Sequence, residues 1–377
     1  MAEVHGTCDD RFAGVRDALA TQLDGEELGA SIAVDVDGET VVDLWGGYRD
    51  EARTTPWTQD TIVNVWSTTK TITALAVLTL VEKGQLDVHA PVADYWPEFA
   101  ANGKDGVLVK HLMAHTSGVA GWDPPFAAED MYDWESSVAR LAAQAPWWEP
   151  GTASGYHAQN QGHLLGELVR RVDGRSLKQY VAEELAGPLG ADFQIGAKPE
   201  DEGRIAPVVP PPPLPIDFST LDPQSAVFRC FTGPVADANN ANTAAWRAAD
   251  MGALNGHGNA KGVLDIMRVV SLGGEAGGLR LLSDKTIDLI FDVQADDVDL
   301  VLGAPFRRGI GFGLSPSGAV PYLPEGRVAF WGGWGGSVII MDLDRGVTTS
   351  YMMNRMAPGI VGSPRAEAYL DAVYAVL

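Results

Sequence analysis

Ser67 and Lys70 stand three residues apart in the stretch "NVWSTTKTIT", residues 64 to 73, at the mouth of an almost wholly apolar segment. On a helix, positions i and i+3 share a face with Cβ atoms roughly 5–6 Å apart, so hydroxyl and amine can meet across one turn. A serine at a helix N-terminus also lies where free N–H groups and the helix dipole favour developing negative charge. A lysine in apolar surroundings loses hydration, and its pKa falls toward a range useful for moving protons. Together these are the parts of a Ser-Lys activated nucleophile. The same spacing also fits an ordinary helix start, since serine is a common N-cap and lysine a common helix residue.

Two features favour chemistry. No other S-x-x-K occurs in the chain, and this lysine precedes Ile72, Leu75, Ala76, Leu78 and Leu80, a set too apolar for a solvated face. There is no G-x-S-x-G, so the strand-to-helix serine elbow of α/β-hydrolases is not an explanation. His111 and His115 have the i, i+4 spacing of a metal pair, but Leu112 stands where a metalloprotease helix has its glutamate. "HTSGV" reads instead as a helix end with Gly118 at the C-cap.

The elements that must hold these residues can be read from periodicity. Phe12, Val15, Leu19 and Leu23 share one face of an N-terminal helix. "SIAVDVDGETVVDLWGG" reads as two strands turning at Asp37-Gly38. Residues 67–83 form a helix that stops at Gly84. Helical segments follow at Val107–His115, Ser136–Ala143, Gln161–Val172 and Leu177–Leu185. A proline-rich loop at 207–215 can be neither helix nor central strand. Helix restarts in "GHGNAKGVLDIMRVVSLGG". Strands return in "VAFWGG", "SVIIMDL" and "VTTSYMMN", and residues 366–377 close as an amphipathic helix.

The 377 residues are 46% hydrophobic and 20% charged, an ordinary globular composition. The formal charge of −23 would repel phosphate backbones and anionic lipids, which argues against nucleic-acid and membrane partners. Cys8 and Cys230 are the only cysteines, too few for a disulfide framework. The N-terminus has no basic and apolar signal pattern, and the apolar run from Ile72 to Val81 is about half a membrane span, so the expectation is a cytoplasmic protein.

Four stretches in order carry a family likeness: "WSTTKTITALAVLTLVEKGQLDVHAPVADYWPEF", "VKHLMAHTSGVAGW", "WEPGTASGYHAQNQGHLLGELVRRVDGRSL" and "GWGGS". The chain resembles the serine β-lactamase and penicillin-binding-protein superfamily on its class C side, and within it the family VIII carboxylesterases. The resemblance implies an α+β fold, with an antiparallel sheet flanked by helices. Residues 1–85 and 240–377 would form that domain, and 86–239 a mainly helical one inserted between its halves. It implies Tyr156 as the third catalytic residue beside Ser67 and Lys70, holding a phenolate that takes the serine proton. It also implies an oxyanion hole from the backbone N–H groups of Ser67 and Trp334.

Two departures from the family's β-lactamases point toward esters. Ala158 replaces the asparagine of Tyr-x-Asn, and Trp331-Gly332-Gly333 replaces Lys-Thr-Gly. His157, Trp331, Gly332, Gly333 and Trp122 are expected at the substrate. Trp147 and Trp148 are further candidates for an acyl pocket, with core packing the alternative. The expected activity is hydrolysis of small, short-chain esters with no metal or organic cofactor. A β-lactamase, a D-amino peptidase and an acyltransferase of the same fold are the alternatives.

Overall fold

Asp37 and Gly38 take φ of 52° and 89°, the double left-handed turn that a two-residue hairpin requires. They join β2 (Gly29–Val36) to β3 (Glu39–Gly47). The computed structural model describes residues 2–213 and 217–377. Leu214 and Pro215 of the expected proline-rich loop lie outside the described residues.

A nine-stranded sheet is the centre of the fold. Besides β2 and β3 it contains β1 (Val4–Cys8), β4 (Ala295–Val298), β5 (Pro305–Arg308), β6 (Gly313–Leu314), β7 (Val328–Gly332), β8 (Val338–Asp342) and β9 (Val347–Met353). The order is β1-β3-β2-β9-β8-β7-β6-β5-β4, antiparallel throughout. Its strands come from both ends of the chain. The sheet is wider than the sequence reading, because β1 and β4 are edge strands of mostly polar, exposed residues with little apolar alternation.

Helices cover both faces. Thr348 and Tyr351 of β9 point to opposite sides, being three residues apart on a strand. Thr348 meets Ser271 at the end of α5 (Ala260–Ser271), their hydroxyls 2.6 Å apart. Tyr351 packs on Tyr369 of α6 (Pro364–Tyr374), which also lies against α1 (Ala13–Asp24). On the α6 side, buried Glu27 accepts from Arg365 at 2.6 Å and from the Tyr351 hydroxyl, tying the two chain ends together.

The buried helix α2 (Thr69–Glu82) packs on α4 (Gln161–Asp173), with α3 (Trp134–Ala143) against α4 in turn. From Thr69 to Leu80 every residue of α2 is buried, so its apolar surface runs all round, as a central helix requires. Polar threonines survive there by returning their hydroxyls to carbonyls: Thr71 to Thr68 O and Thr73 to Gly252 O.

Three readings are corrected. "GHG" does not start a helix. Gly256–Gly258 is a strand between Val63–Asn64 and Phe193–Ile195, and α5 begins only after Asn259 caps Gly262 N–H. Glycine is needed there because a β-carbon on Gly256 would sit 2.5 Å from the Thr69 hydroxyl and 2.6 Å from the Phe193 ring. The helix over Leu177–Tyr180 loosens into a π-helical turn at Val181–Ala186. Gly118 is not a C-cap: the helix at Val109–Met113 ends on Ala114, and the first left-handed residue after it is His115, φ 61°.

Candidate active site

Val65 and Trp66 form a strained entry to α2. Trp66 has φ 52°, a left-handed conformation that costs a bulky residue about 1–3 kcal/mol and persists only when its surroundings enforce it. Here they do. Val65 N–H donates to Gly256 O at 2.8 Å, Ser337 Oγ donates to Val65 O at 2.9 Å, and Thr69 Oγ1 donates to Trp66 O. The Trp66 ring sits edge-on to Trp246 and Trp334, with centroids 5.6 and 5.1 Å away.

Ser67 therefore lies within a single 3₁₀ turn, Trp66–Thr68, ahead of the helix proper. Its hydroxyl caps nothing; it lies within hydrogen-bonding distance of Lys70 Nζ, at 3.0 Å. The amine has two other neighbours, Ala158 O at 2.7 Å and Ala253 O at 2.9 Å. Ala253 is held in place by α4, since a β-carbon on Gly162 would lie 2.3 Å from Ala253 N. Burial, with a smaller contribution from Arg308, pushes the Lys70 pKa well below its ordinary 10.5.

Tyr156 lies across the lysine, its ring centroid 4.9 Å from Nζ. Its backbone N–H donates to Asp299 Oδ1 at 3.0 Å, and its ring packs between His115 and Trp331, with centroids at 5.3 and 5.6 Å. The hydroxyl completes no hydrogen bond of normal geometry among the described residues. Burial pushes its pKa up to about 12, although the nearby Ser67 hydroxyl, the Trp331 indole and Arg308 pull the other way. The direction of this shift favours a neutral phenol over the expected resting phenolate.

Beneath Tyr156 lies a buried ion pair that no motif announces. Arg308 Nη2 donates to Asp299 Oδ2 at 2.6 Å, both side chains fully buried, and Arg308 Nε donates to Ser154 Oγ at 2.8 Å. Asp299 also accepts from Ser154 Oγ and from the N–H groups of Val301 and Leu302. Burial alone would raise the Asp299 pKa; Arg308 and these donors hold it below the usual carboxylate value.

The strand end opposite Ser67 is shaped by glycine. A β-carbon on Gly333 would lie 2.6 Å from Val65 O and 3.0 Å from Trp66 Cβ, so only a glycine lets this backbone run against the Ser67 turn. Trp334 follows, and its ring shares with Ser67 the wall of a cleft of about 610 Å³, open at its mouth. Tyr156, Ala158 and Gln159 also line the cleft, and Met131, Phe231, Trp246, Leu254 and Ile360 make its apolar walls.

Several expected substrate contacts lie elsewhere. His157 is fully buried behind Tyr156: Nδ1 donates to Gly155 O at 2.7 Å, and Nε2 pairs with Ser117 Oγ at 2.6 Å. Both nitrogens are used and burial lowers its pKa to about 3, which leaves a neutral structural imidazole. Trp122 is core, stacked on Phe126 with centroids 4.4 Å apart and its N–H given to Ser137 O. Trp331 turns its ring inward against His115, Tyr156 and Arg308, away from the cleft. Trp147 and Trp148 also stand outside the cleft wall, their N–H groups on Asp123 and Ala153 O. His115 has left the helical face of His111, and no cluster of metal-ligating side chains occurs among the described residues.

Residues 15–374 match the beta-lactamase family model. The chain belongs to the beta-lactamase family. Esterase/beta-lactamase LipL of Mycobacterium tuberculosis is 32% identical over 375 residues, 96% of this chain and 86% of that protein. The crystal structure of a family VIII carboxylesterase superposes with a TM-score of 0.93 at 39% identity, over all of both chains. A penicillin-binding protein homologue from Caulobacter crescentus does so at 0.91 and 36% identity, again over all of both chains. Within the beta-lactamase family the likeness to family VIII carboxylesterases is therefore established over the full chain, and the protein is an enzyme of the serine-hydrolase kind. No helix among the described residues is long and apolar enough to cross a membrane.

Proposed function

We propose that this chain is a serine carboxylesterase acting through an acyl-enzyme on Ser67. The observation that carries the reading is the environment of Lys70 Nζ, set between Ser67 Oγ at 3.0 Å and two carbonyls at 2.7 and 2.9 Å. A neutral amine has two N–H donors and one lone pair. The carbonyls of Ala158 and Ala253 can only accept, so they take both donors and leave the lone pair facing the Ser67 hydroxyl. Lys70 then acts as the base that takes the serine proton as Oγ attacks the ester carbonyl.

Tyr156, neutral and without a fixed partner, is placed to pass the proton from Lys70 to the departing alkoxide. The tetrahedral oxyanion is assigned to the backbone N–H groups of Ser67 and Trp334, a role supported by the close approach of Gly333 to the Val65–Trp66 turn. Water then attacks the acyl-enzyme along the same proton path in reverse, and acid leaves with Ser67 restored. Among the described residues no lysine or arginine lines the cleft, so the carboxylate of a penicillin-like substrate finds no cation there. This favours neutral esters over β-lactams.

Parallel assays on p-nitrophenyl butyrate and nitrocefin, with and without an added alcohol, test the assignment. The expected result is faster turnover of the ester, with butyric acid as the main product in both media. Preference for nitrocefin, or an alcohol ester as the main product, would replace this reading with a lactamase or an acyltransferase.

A further inference from the structure

The catalytic cleft does not end at its own mouth. A second cavity opens beside it, and the two share Phe231, Val235, Ala236, Asp237 and Trp334 in their walls. The outer cavity adds Pro210 to Pro213 and Phe218. Phe218 stands edge-on to Phe231, with centroids 6.4 Å apart. Val235, on the shared wall, is 66% exposed, the most exposed large apolar residue among those described. An apolar side chain left that open beside a nucleophile is unfavourable in the free protein and becomes favourable once something apolar covers it.

We infer that this outer cavity is a binding subsite for an extended apolar arm of the ester attacked by Ser67. The inference rests on the esterase reading above and sharpens its substrate class. The occupant is fixed by continuity, since an arm leaving the ester carbonyl along Trp334 and Phe231 runs onto Val235 and the proline wall. The chemistry is fixed by what lines the path. The proline rings and phenyl groups offer no side-chain donor, and among the described residues of the outer wall the one side-chain N–H, on the Trp334 indole, is buried. Among the described residues Asp237 is the only ionic side chain in the two walls, and it already accepts from Asn239 N–H at the start of its own turn. The arm is therefore hydrocarbon or aromatic and carries no carboxylate. Esters of longer or bulkier groups fit this path better than the short-chain esters that the family likeness implies.

The experiment compares kcat/KM for p-nitrophenyl butyrate and octanoate, which vary the acyl arm, and for butyl and octyl acetate, which vary the alcohol arm. It is run on the wild type and on Pro212→Asp and Phe218→Ala, both in the wall of the outer cavity alone. In one of the two series the wild type is expected to prefer the longer ester. Each substitution should cut that longer substrate by about 10-fold, with less than a twofold change on its short partner. Equal losses on long and short esters, or no loss on either, would overturn the subsite.

A second measurement does not need turnover. Calorimetric binding of 1-octanol to Ser67→Ala protein should be detectable and should weaken about 10-fold when Pro212→Asp is added. Octanol binding that ignores Pro212→Asp would also overturn it. A wild type inactive on every ester would count against the esterase reading, and the octanol titration would still decide the subsite.

Discussion

Asp299 accepts the backbone N–H of Tyr156 at 3.0 Å while its other oxygen holds the fully buried Arg308 at 2.6 Å. The loop that carries the Tyr156 phenol is thus fastened to an ion pair from the edge of the sheet. Asp299→Asn would leave the Arg308 cation without its counter-charge. The expected cost is about 3–5 kcal/mol of stability, read from urea unfolding. Replacing both partners by apolar residues should recover much of that loss. An Asp299→Asn protein as stable as the wild type would show that the pair does not anchor the loop.

Tyr156→Phe separates chemistry from packing. Among the described residues the Oη atom completes no hydrogen bond of normal geometry, and the ring contacts with His115 and Trp331 remain. The melting temperature should stay within a degree or two, while kcat falls about 10²- to 10⁴-fold. A large drop in stability instead would mean that the hydroxyl is structural.

With Lys70 as the proposed base, its titration should set the pH dependence. Its folded pKa lies below 10.5, so kcat/KM should climb as pH rises through that lowered value and the amine loses its proton. The Tyr156 phenol, pushed up to about 12, should leave the alkaline side flat across ordinary buffers. Lys70→Arg keeps the charge at every pH, and the rate should fall about 10³-fold with the rising limb gone. The linkage has a matching sign. Between the lowered value and 10.5 the unfolded chain binds the extra proton, so this group's contribution makes stability grow with pH in that window. A wild-type rate that falls as pH rises from neutral would contradict Lys70 as base.

Gly333→Ala tests the oxyanion side. Its β-carbon would collide with Val65 O and Trp66 Cβ and push the Trp334 N–H away from Ser67. The expected signature is a 10²- to 10³-fold loss in kcat with little change in KM. A rise in KM alone would place Gly333 in substrate binding instead.

The features legible in the sequence are those whose signal is local. The hairpin at Asp37-Gly38, the apolar helix behind Ser67 and the three-residue offset to Lys70 each follow from turn chemistry or helix period. What it hid depends on distant chain. Asp299 sits in "DDVDL", an acidic run that reads as a solvated edge, and only the fold buries it on Arg308. His157 adjoins Tyr156 in the chain, yet the backbone there turns its ring into the core, so adjacency was misleading. Trp331 stands near the end of a strand that does reach the site, but its own ring packs behind the cleft wall against Tyr156 and His115. The cleft walls, Met131, Phe231, Trp246, Leu254 and Ile360, come from widely separated segments, and no spacing rule connects them.

The central claim is that Ser67 is the nucleophile. Treating the protein with a p-nitrophenyl alkylphosphonate and mapping the adduct by peptide mass spectrometry tests it most directly. The expected outcome is one alkylphosphonyl group on the Ser67 hydroxyl, with hydrolysis lost in step, and no adduct on Ser67→Ala protein. An adduct on any other residue, or full ester hydrolysis by Ser67→Ala protein, would contradict it.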